Sequence, residues 1–130
     1  EMTRFNISLE DGVDMVLWSI ENALGGEIFV PKIPSYTIET VAKAIAPNAI
    51  LEDVGIRPGE KLHEEMISLE DSRRTIDLGD RYLVTPVVAE WGFKSPSVNF
   101  MGEGFAYRSD TNTEWVSQVQ IQNYIENHGN

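Results

Sequence analysis

A small mixed α/β domain is the fold the sequence predicts, and three observations predict it: chain length, short apolar runs that alternate with helical periods, and the punctuation between them. At 130 residues and 42% hydrophobic content the chain is the size of one ordinary domain with one core. Twice in the first half a short β-type run feeds a loop and then a helical period. Gly25-Gly26, Pro31, Pro47 and Pro58-Gly59 fall between these segments.

The elements follow in order. Thr3 to Ile7 sets Phe5 and Ile7 against Arg4 and Asn6, the alternation of a strand. Ser8 stands at a helix N-cap, Asp11 completes an approximate capping box, and Val13, Val16, Leu17, Ile20 and Leu24 recur at helical spacing until Gly25-Gly26. Met15 and Trp18 lie off that stripe and are expected to pack on neighbouring structure. Glu27 to Val30 reads as a strand stopped by Pro31, and Pro31 to Ser35 as an extended loop. Thr37 caps a second helix with Ile38, Val41, Ala42 and Ile45 on one face, Tyr36 and Val41 as a hydrophobic staple, and Pro47 past its end.

Ile50 to Gly55 is a third candidate strand, and the Arg57-Pro58-Gly59 turn is expected to open a short helix from Glu60 to Ile67 with Leu62 and Met66 inward. Glu70 to Arg74 is a charged connection. Thr75 to Leu78 and Tyr82 to Val88 suit a hairpin across Gly79-Asp80. Glu90 to Thr113 has no clean period and reads as an irregular segment. Ser117 and Gln120 form a last capping box, ahead of a terminal helix that buries Val119, Tyr124 and Ile125. There is no repeat and no interdomain linker.

Composition excludes several classes. Ten Lys+Arg against 21 Asp+Glu leave a net charge of −11, a field that repels nucleic acid. A small anion binds such a chain only where local cations outweigh the global field, so the few arginines are informative. No apolar stretch reaches the roughly 20 residues of a membrane span, so no membrane partner is expected, and no signal peptide is evident at the start. Cysteine is absent, which removes disulfide and thiolate chemistry and agrees with a reducing compartment. A strand almost at the first residue gives the look of a piece of a longer protein.

Most catalytic signatures fail on counting. Four residues after Tyr36, Tyr82, Tyr107 and Tyr124 stand Thr40, Pro86, Thr111 and His128, so there is no Tyr-x-x-x-Lys pair. The only Gly-x-Gly, Gly102-Glu103-Gly104, has Tyr107 where a dinucleotide fingerprint needs a small residue. His63-Glu64-Glu65 lacks the second histidine of a zinc helix, so no metal is expected. What survives is cationic. Arg57 before a Pro-Gly turn that opens a helix would aim a guanidinium and free amides at one phosphate, or else simply hold the turn through carbonyls. Glu60 sits in the first turn of that helix, where the dipole favours a carboxylate with or without a ligand. Arg4 lies on the polar face of its strand, either solvated or functional. Lys32, held between two prolines, reads as solvated rather than ligand-facing, Glu64 and Glu65 as the polar face of the predicted helix rather than an acid–base pair, and Asp110 and Asn112 either bind sugar hydroxyls or make turns.

Four segments in order carry a resemblance: Met2-Thr3-Arg4-Phe5; Gly26-Glu27-Ile28-Phe29-Val30-Pro31-Lys32-Ile33-Pro34-Ser35; Ala42-Lys43-Ala44-Ile45-Ala46-Pro47-Asn48; and Gly55-Ile56-Arg57-Pro58-Gly59-Glu60-Lys61-Leu62-His63-Glu64. Together they resemble the C-terminal portion of the inverting UDP-N-acetylglucosamine 4,6-dehydratases, of the extended short-chain dehydrogenase/reductase superfamily. The likeness is clear to about Glu65 and fainter beyond it, where Tyr107, Asn112 and Trp115 echo the family's end.

The resemblance implies a mixed α/β substrate-binding lobe spanning 1–130, with the Rossmann domain absent. It implies a reaction in which NADP oxidises C4 of the sugar, water is lost across C5 and C6, and hydride returns to C6 with inversion at C5. The family's catalytic residues lie in the Rossmann half, so the expectation is that no catalytic residue, cofactor site or metal site is here. Carried over by motif, the UDP-sugar contacts are Arg4, Arg57 and Glu60. A cytoplasmic homo-oligomer serving surface-polysaccharide or flagellin-glycan synthesis, pseudaminic acid included, is the implied setting. The competing reading is a stand-alone, non-catalytic module that binds nucleotide-sugars or mediates oligomerisation. A lobe without its usual neighbour would uncover an apolar face, for which Met15 and Trp18 are the candidates.

Overall fold

The computed structural model describes residues 1–88, 94 and 100–128. The architecture is mixed α/β, as expected. Strands β1 (Thr3–Phe5), β2 (Ile28–Pro31), β3 (Ser35–Thr37), β4 (Glu65–Ile67), β5 (Thr75–Asp77), β6 (Arg81–Val84) and β7 (Tyr107–Arg108) interleave with helices α1 (Leu9–Asn22), α2 (Ile38–Ile45) and α3 (Gln118–His128). They form a three-stranded sheet in the order β2-β6-β5 and two strand pairs, β1-β3 and β4-β7. The chain divides into two compact units: Glu1–Asn6, Ile33–Glu64 and Arg108–Asn130 make one, and Ile7–Lys32 and Glu65–Tyr107 the other.

In the first unit β1 runs antiparallel to β3, with Thr3 opposite Thr37 and Phe5 opposite Ser35. The sequence reading placed Ser35 at the end of a loop; three residues are too few for an alternation to register. Thr37 ends β3 and caps α2, its hydroxyl accepting from the Thr40 N–H at 3.0 Å. Ala44 is the buried residue of α2 and Ile38 and Ile45 are exposed, so the inward face is rotated from the predicted stripe. The capping box before α3 forms as read: Gln120 Oε1 accepts from the Ser117 N–H at 2.8 Å, and Ser117 Oγ from the Gln120 N–H at 3.3 Å. Val119, Tyr124 and Ile125 are exposed rather than buried. In their stead, the Gln118 and Gln122 amides donate to the Lys43 and Ala44 carbonyls at the end of α2, groups a helix leaves unpaired.

Ile50 to Gly55 is not a strand. Asp53 Oδ1 accepts from the Gly55 N–H at 2.8 Å in an Asx turn, and Ile50, Leu51 and Val54 are exposed. The predicted helix from Glu60 to Ile67 is absent as well: residues 60–64 are irregular and Glu65–Ile67 is β4, whose Ile67 is fully buried. Leu62 and Met66 suited a helical spacing, but burial of Ile67 in a strand decided the conformation.

In the second unit Ser8 caps α1, accepting from the Asp11 N–H at 3.0 Å. The hairpin is as read: β5 and β6 pair antiparallel with Asp77 opposite Tyr82, and Gly79 takes φ +102 in the turn. β6 stops at Val84, short of Val88, with Pro86 two residues on. β2 lies at the sheet edge, which is why Pro31 is tolerated within it. Ile76 and Leu83 form the core of this sheet with Phe29 against them. Much of the stretch read as irregular, including residues 90–93 and 95–99, lies outside the described residues.

Helix α1 corrects one expectation. Trp18 meets Phe29 edge-on at 5.0 Å between ring centroids, the Arg81 guanidinium stacks on Trp18 at 3.7 Å, and Arg81 reaches Met15 Sδ at 3.6 Å. Met15 and Trp18 therefore pack inward and are not an uncovered face. The uncovered face is the regular stripe itself: Val13, Val16, Leu17 and Ile20 are 49–73% exposed, and Ile7 and Leu9 continue it. Periodicity revealed an apolar stripe but not what covers it.

Candidate functional site

The three arginine and glutamate candidates fall in the first unit, around the segment from Arg57 to Glu64. Arg57, Pro58, Gly59 and Glu60 form a β-turn: the Glu60 N–H donates to the Arg57 carbonyl at 3.0 Å and Gly59 takes φ +82, a conformation strained for any residue with a Cβ. Proline is favoured at the second position of such a turn and glycine at the third. Because no helix follows, the free helical amides expected beside Arg57 do not exist. The helix-dipole argument for Glu60 falls with them. The turn instead displays the Arg57 guanidinium, which is exposed and makes no hydrogen bond or ion pair among the described residues.

Glu60 links the turn to the first strand. Its Oε2 accepts from the Arg57 N–H at 3.3 Å, while Oε1 lies 3.8 Å from Arg4 Nη2. Arg4 is far from a solvated strand arginine. Its side chain is only 19% exposed, Nη1 donates to the Thr3 carbonyl at 2.7 Å and the Leu62 carbonyl at 3.3 Å, and Nη2 to the Lys61 carbonyl at 3.0 Å. Nε sits 3.4 Å from Glu64 Oε1. The fork geometry of guanidinium, which lysine lacks, lets one residue hold successive carbonyls. Glu64 is thus a partner of Arg4 rather than only a solvated carboxylate.

Behind this segment lies a chain of hydroxyls that the sequence did not reveal. Thr3 Oγ1 is 2.8 Å from His63 Nδ1 and 2.7 Å from Ser109 Oγ, and Ser109 Oγ accepts from the Glu64 N–H at 2.9 Å. Backbone bonds enclose it: the Thr3 N–H donates to the Leu62 carbonyl and the Ser109 N–H to the Glu64 carbonyl. Thr3 and Ser109 are buried. On its other edge His63 Nε2 lies 3.9 Å from Asp110 Oδ2, and Asp110 takes two 3.0 Å bonds from Arg108. Burial works against the Asp110 charge, but the Arg108 guanidinium and Asp110's own N–H outweigh it and hold the carboxyl below its ordinary value. Residues 106 apart in sequence meet here, which no local pattern signals.

The remaining candidates are structural. Asn112 Nδ2 donates to the Ile33 carbonyl and Ser35 Oγ, fixing the start of β3. In the second unit Lys32 is not solvated: it donates to Asp77 Oδ1 at 2.7 Å and lies 4.6 Å from the Tyr82 ring centre. No group of three or more His, Asp or Glu suited to a metal occurs among the described residues. Gly102 to Gly104 form a turn closed by the Phe105 N–H on the Gly102 carbonyl and lead into β7, not into the helix that a dinucleotide fingerprint opens. No described helix is long and apolar enough to cross a membrane.

Residues 1–86 match the family model described as polysaccharide biosynthesis protein. The chain is 47% identical, over 98% of its length, to the UDP-N-acetylglucosamine 4,6-dehydratase (inverting) of Campylobacter jejuni subsp. jejuni serotype O:23/36 (strain 81-176), and covers 40% of that relative. The UDP-glucose 4-epimerase of Rickettsia typhi is 46% identical, but over 64% of this chain and 26% of its own length. Among solved structures, Pen from Bacillus thuringiensis superposes with a TM-score of 0.75 at 27% identity, over 97% of this chain and 37% of its own. The chain therefore spans about two fifths of the length of these dehydratase relatives.

Proposed function

The chain belongs to the polysaccharide biosynthesis protein family, whose model spans its residues 1–86, and from that premise we propose that it forms the UDP-sugar-binding part of a C5-inverting UDP-N-acetylglucosamine 4,6-dehydratase. The extent of the likeness carries this reading. Likeness to the dehydratases runs over 98% of the chain, whereas likeness to the epimerase stops at 64%.

The geometry supports a division of labour among the three candidates. Arg57, exposed and unpaired among the described residues, is the cation that takes the diphosphate, a role suited to bidentate guanidinium in a chain of net charge −11. Glu60 is held at the same turn and offers a carboxylate to ligand hydroxyls. Arg4, as it stands, is engaged by carbonyls and carboxylates, so it meets the ligand by exchanging the long Glu60 and Glu64 contacts for phosphate.

No step of hydride transfer is assigned to these residues. The proposal puts NADP and the acid–base residues in the rest of the dehydratase, and these 130 residues are expected to be inactive alone. It also places the activity in a cytoplasmic homo-oligomer that supplies sugars for bacterial surface polysaccharide or flagellin glycan.

A chimera tests the reading. The present sequence replaces the aligned stretch of the Campylobacter jejuni dehydratase, and turnover of UDP-N-acetylglucosamine is followed by NMR. Formation of the 4-keto-6-deoxy product inverted at C5 is the expected result. A folded chimera that epimerises the sugar or leaves it unchanged would refute it.

A further inference from the structure

We propose that His63 is a positioning residue of this site, acting as the terminal acceptor of a one-way hydroxyl chain that fixes the backbone from Lys61 to Glu64. The proposal rests on the UDP-sugar reading for its consequence, though not for its geometry. The Glu64 N–H already donates to Ser109 Oγ, so the orientation of the chain is constrained from that end. Ser109 then gives its own hydrogen to Thr3 Oγ1, 2.7 Å away, and Thr3 gives its hydrogen to His63 Nδ1 at 2.8 Å. Each hydroxyl accepts one bond and donates one. This needs the tautomer with hydrogen on Nε2, the nitrogen that faces Asp110.

The opposite direction fails at its end. If Nδ1 carries the hydrogen and donates to Thr3, then Thr3 donates to Ser109, and the Ser109 hydroxyl hydrogen has no acceptor among the described residues although Ser109 is 0% exposed. A buried unpaired hydroxyl is costly, so one tautomer is selected. The selected chain holds the peptide after His63 through the Glu64 N–H, and the peptide before it through Thr3, whose N–H donates to the Leu62 carbonyl. Leu62 and its neighbour Lys61 supply the carbonyls that hold Arg4, and Glu64 faces its Nε. His63 thereby acts on the ligand-facing residues without touching the ligand itself.

The test uses the whole 130-residue chain, ¹⁵N-labelled, with UDP as probe. Side-chain ¹⁵N–¹H correlations at neutral pH should show His63 as the Nε2–H tautomer. His63→Leu should speed hydrogen exchange of the Glu64 amide and weaken UDP binding, each by about tenfold, the scale of one lost buried partner. Thr3→Val should do the same. His63→Asn, whose amide oxygen stands near the place of Nδ1, should restore both, whereas a purely space-filling role would be served as well by leucine. An Nδ1–H tautomer, unchanged Glu64 exchange in His63→Leu, or equal behaviour of the Leu and Asn variants would overturn the proposal. Failure of the wild-type chain to bind UDP would count against the functional reading instead, and the tautomer and exchange results would still decide the hydroxyl chain.

Discussion

Arg4 Nη2 holds the Lys61 carbonyl at 3.0 Å across 57 residues of sequence, and this bond joins the first strand to the segment that follows the Arg57 turn. Removing it should be felt in stability before it is felt in binding. Arg4→Ala is expected to cost about 1–2 kcal/mol in urea unfolding, because the Thr3, Leu62 and Lys61 carbonyls lose a charged donor and only the Thr3 bond is partly shielded from water. Arg4→Lys should recover only part of that, since an ammonium cannot span the Thr3, Leu62 and Lys61 carbonyls.

Lys32 and Asp77 give the fold an acid-sensitive bond. The Lys32 ammonium, with the Gly79 N–H, holds the Asp77 carboxyl below its ordinary 3.8 against the opposing effect of burial. Below 3.8 the unfolded chain takes up a proton that the folded chain resists. The stabilisation is therefore complete above that value and is lost as pH falls through the lower folded-state value. Lys32→Met should flatten this acid limb, measured by denaturant unfolding at a series of pH values from about 6 down to about 2.

Two neighbours on α1 should behave oppositely. Trp18 packs on Phe29 and carries Arg81, so Trp18→Ala is expected to cost roughly 2–4 kcal/mol. Leu17 lies in the exposed stripe, so Leu17→Gln should change stability by less than about 0.5 kcal/mol. The same substitution should reduce self-association of the chain in light scattering, because a contiguous apolar face is an association surface.

What the sequence made legible was local. Ser8, Thr37 and Ser117 were readable as caps because capping chemistry acts over three residues, and the β5-β6 hairpin because Gly79-Asp80 sits between two apolar runs. The stretch from Glu60 to Ile67 was misread because its outcome depends on distant partners: Ser109 and Arg4 satisfy the backbone of residues 61–64, which a helix would have satisfied internally. For the site, the motif resemblance pointed to Arg4, Arg57 and Glu60, and the structure brings Glu60 into contact with both arginines. It could not distinguish the pinned Arg4 from the displayed Arg57, nor reveal Thr3, His63 and Ser109, because those differences are tertiary.

UDP titration of the chain and of its Arg57→Ala variant, followed by amide chemical shifts, tests the central claim most directly. The account predicts saturable shifts at Arg57, Gly59 and Glu60 in the wild type. It also predicts an affinity lower by roughly tenfold or more in the variant, as fits the loss of a charge-assisted phosphate contact, with unfolding stability unchanged within about 0.5 kcal/mol. Saturable binding that is indifferent to Arg57→Ala, or no binding by the wild type at all, would contradict it.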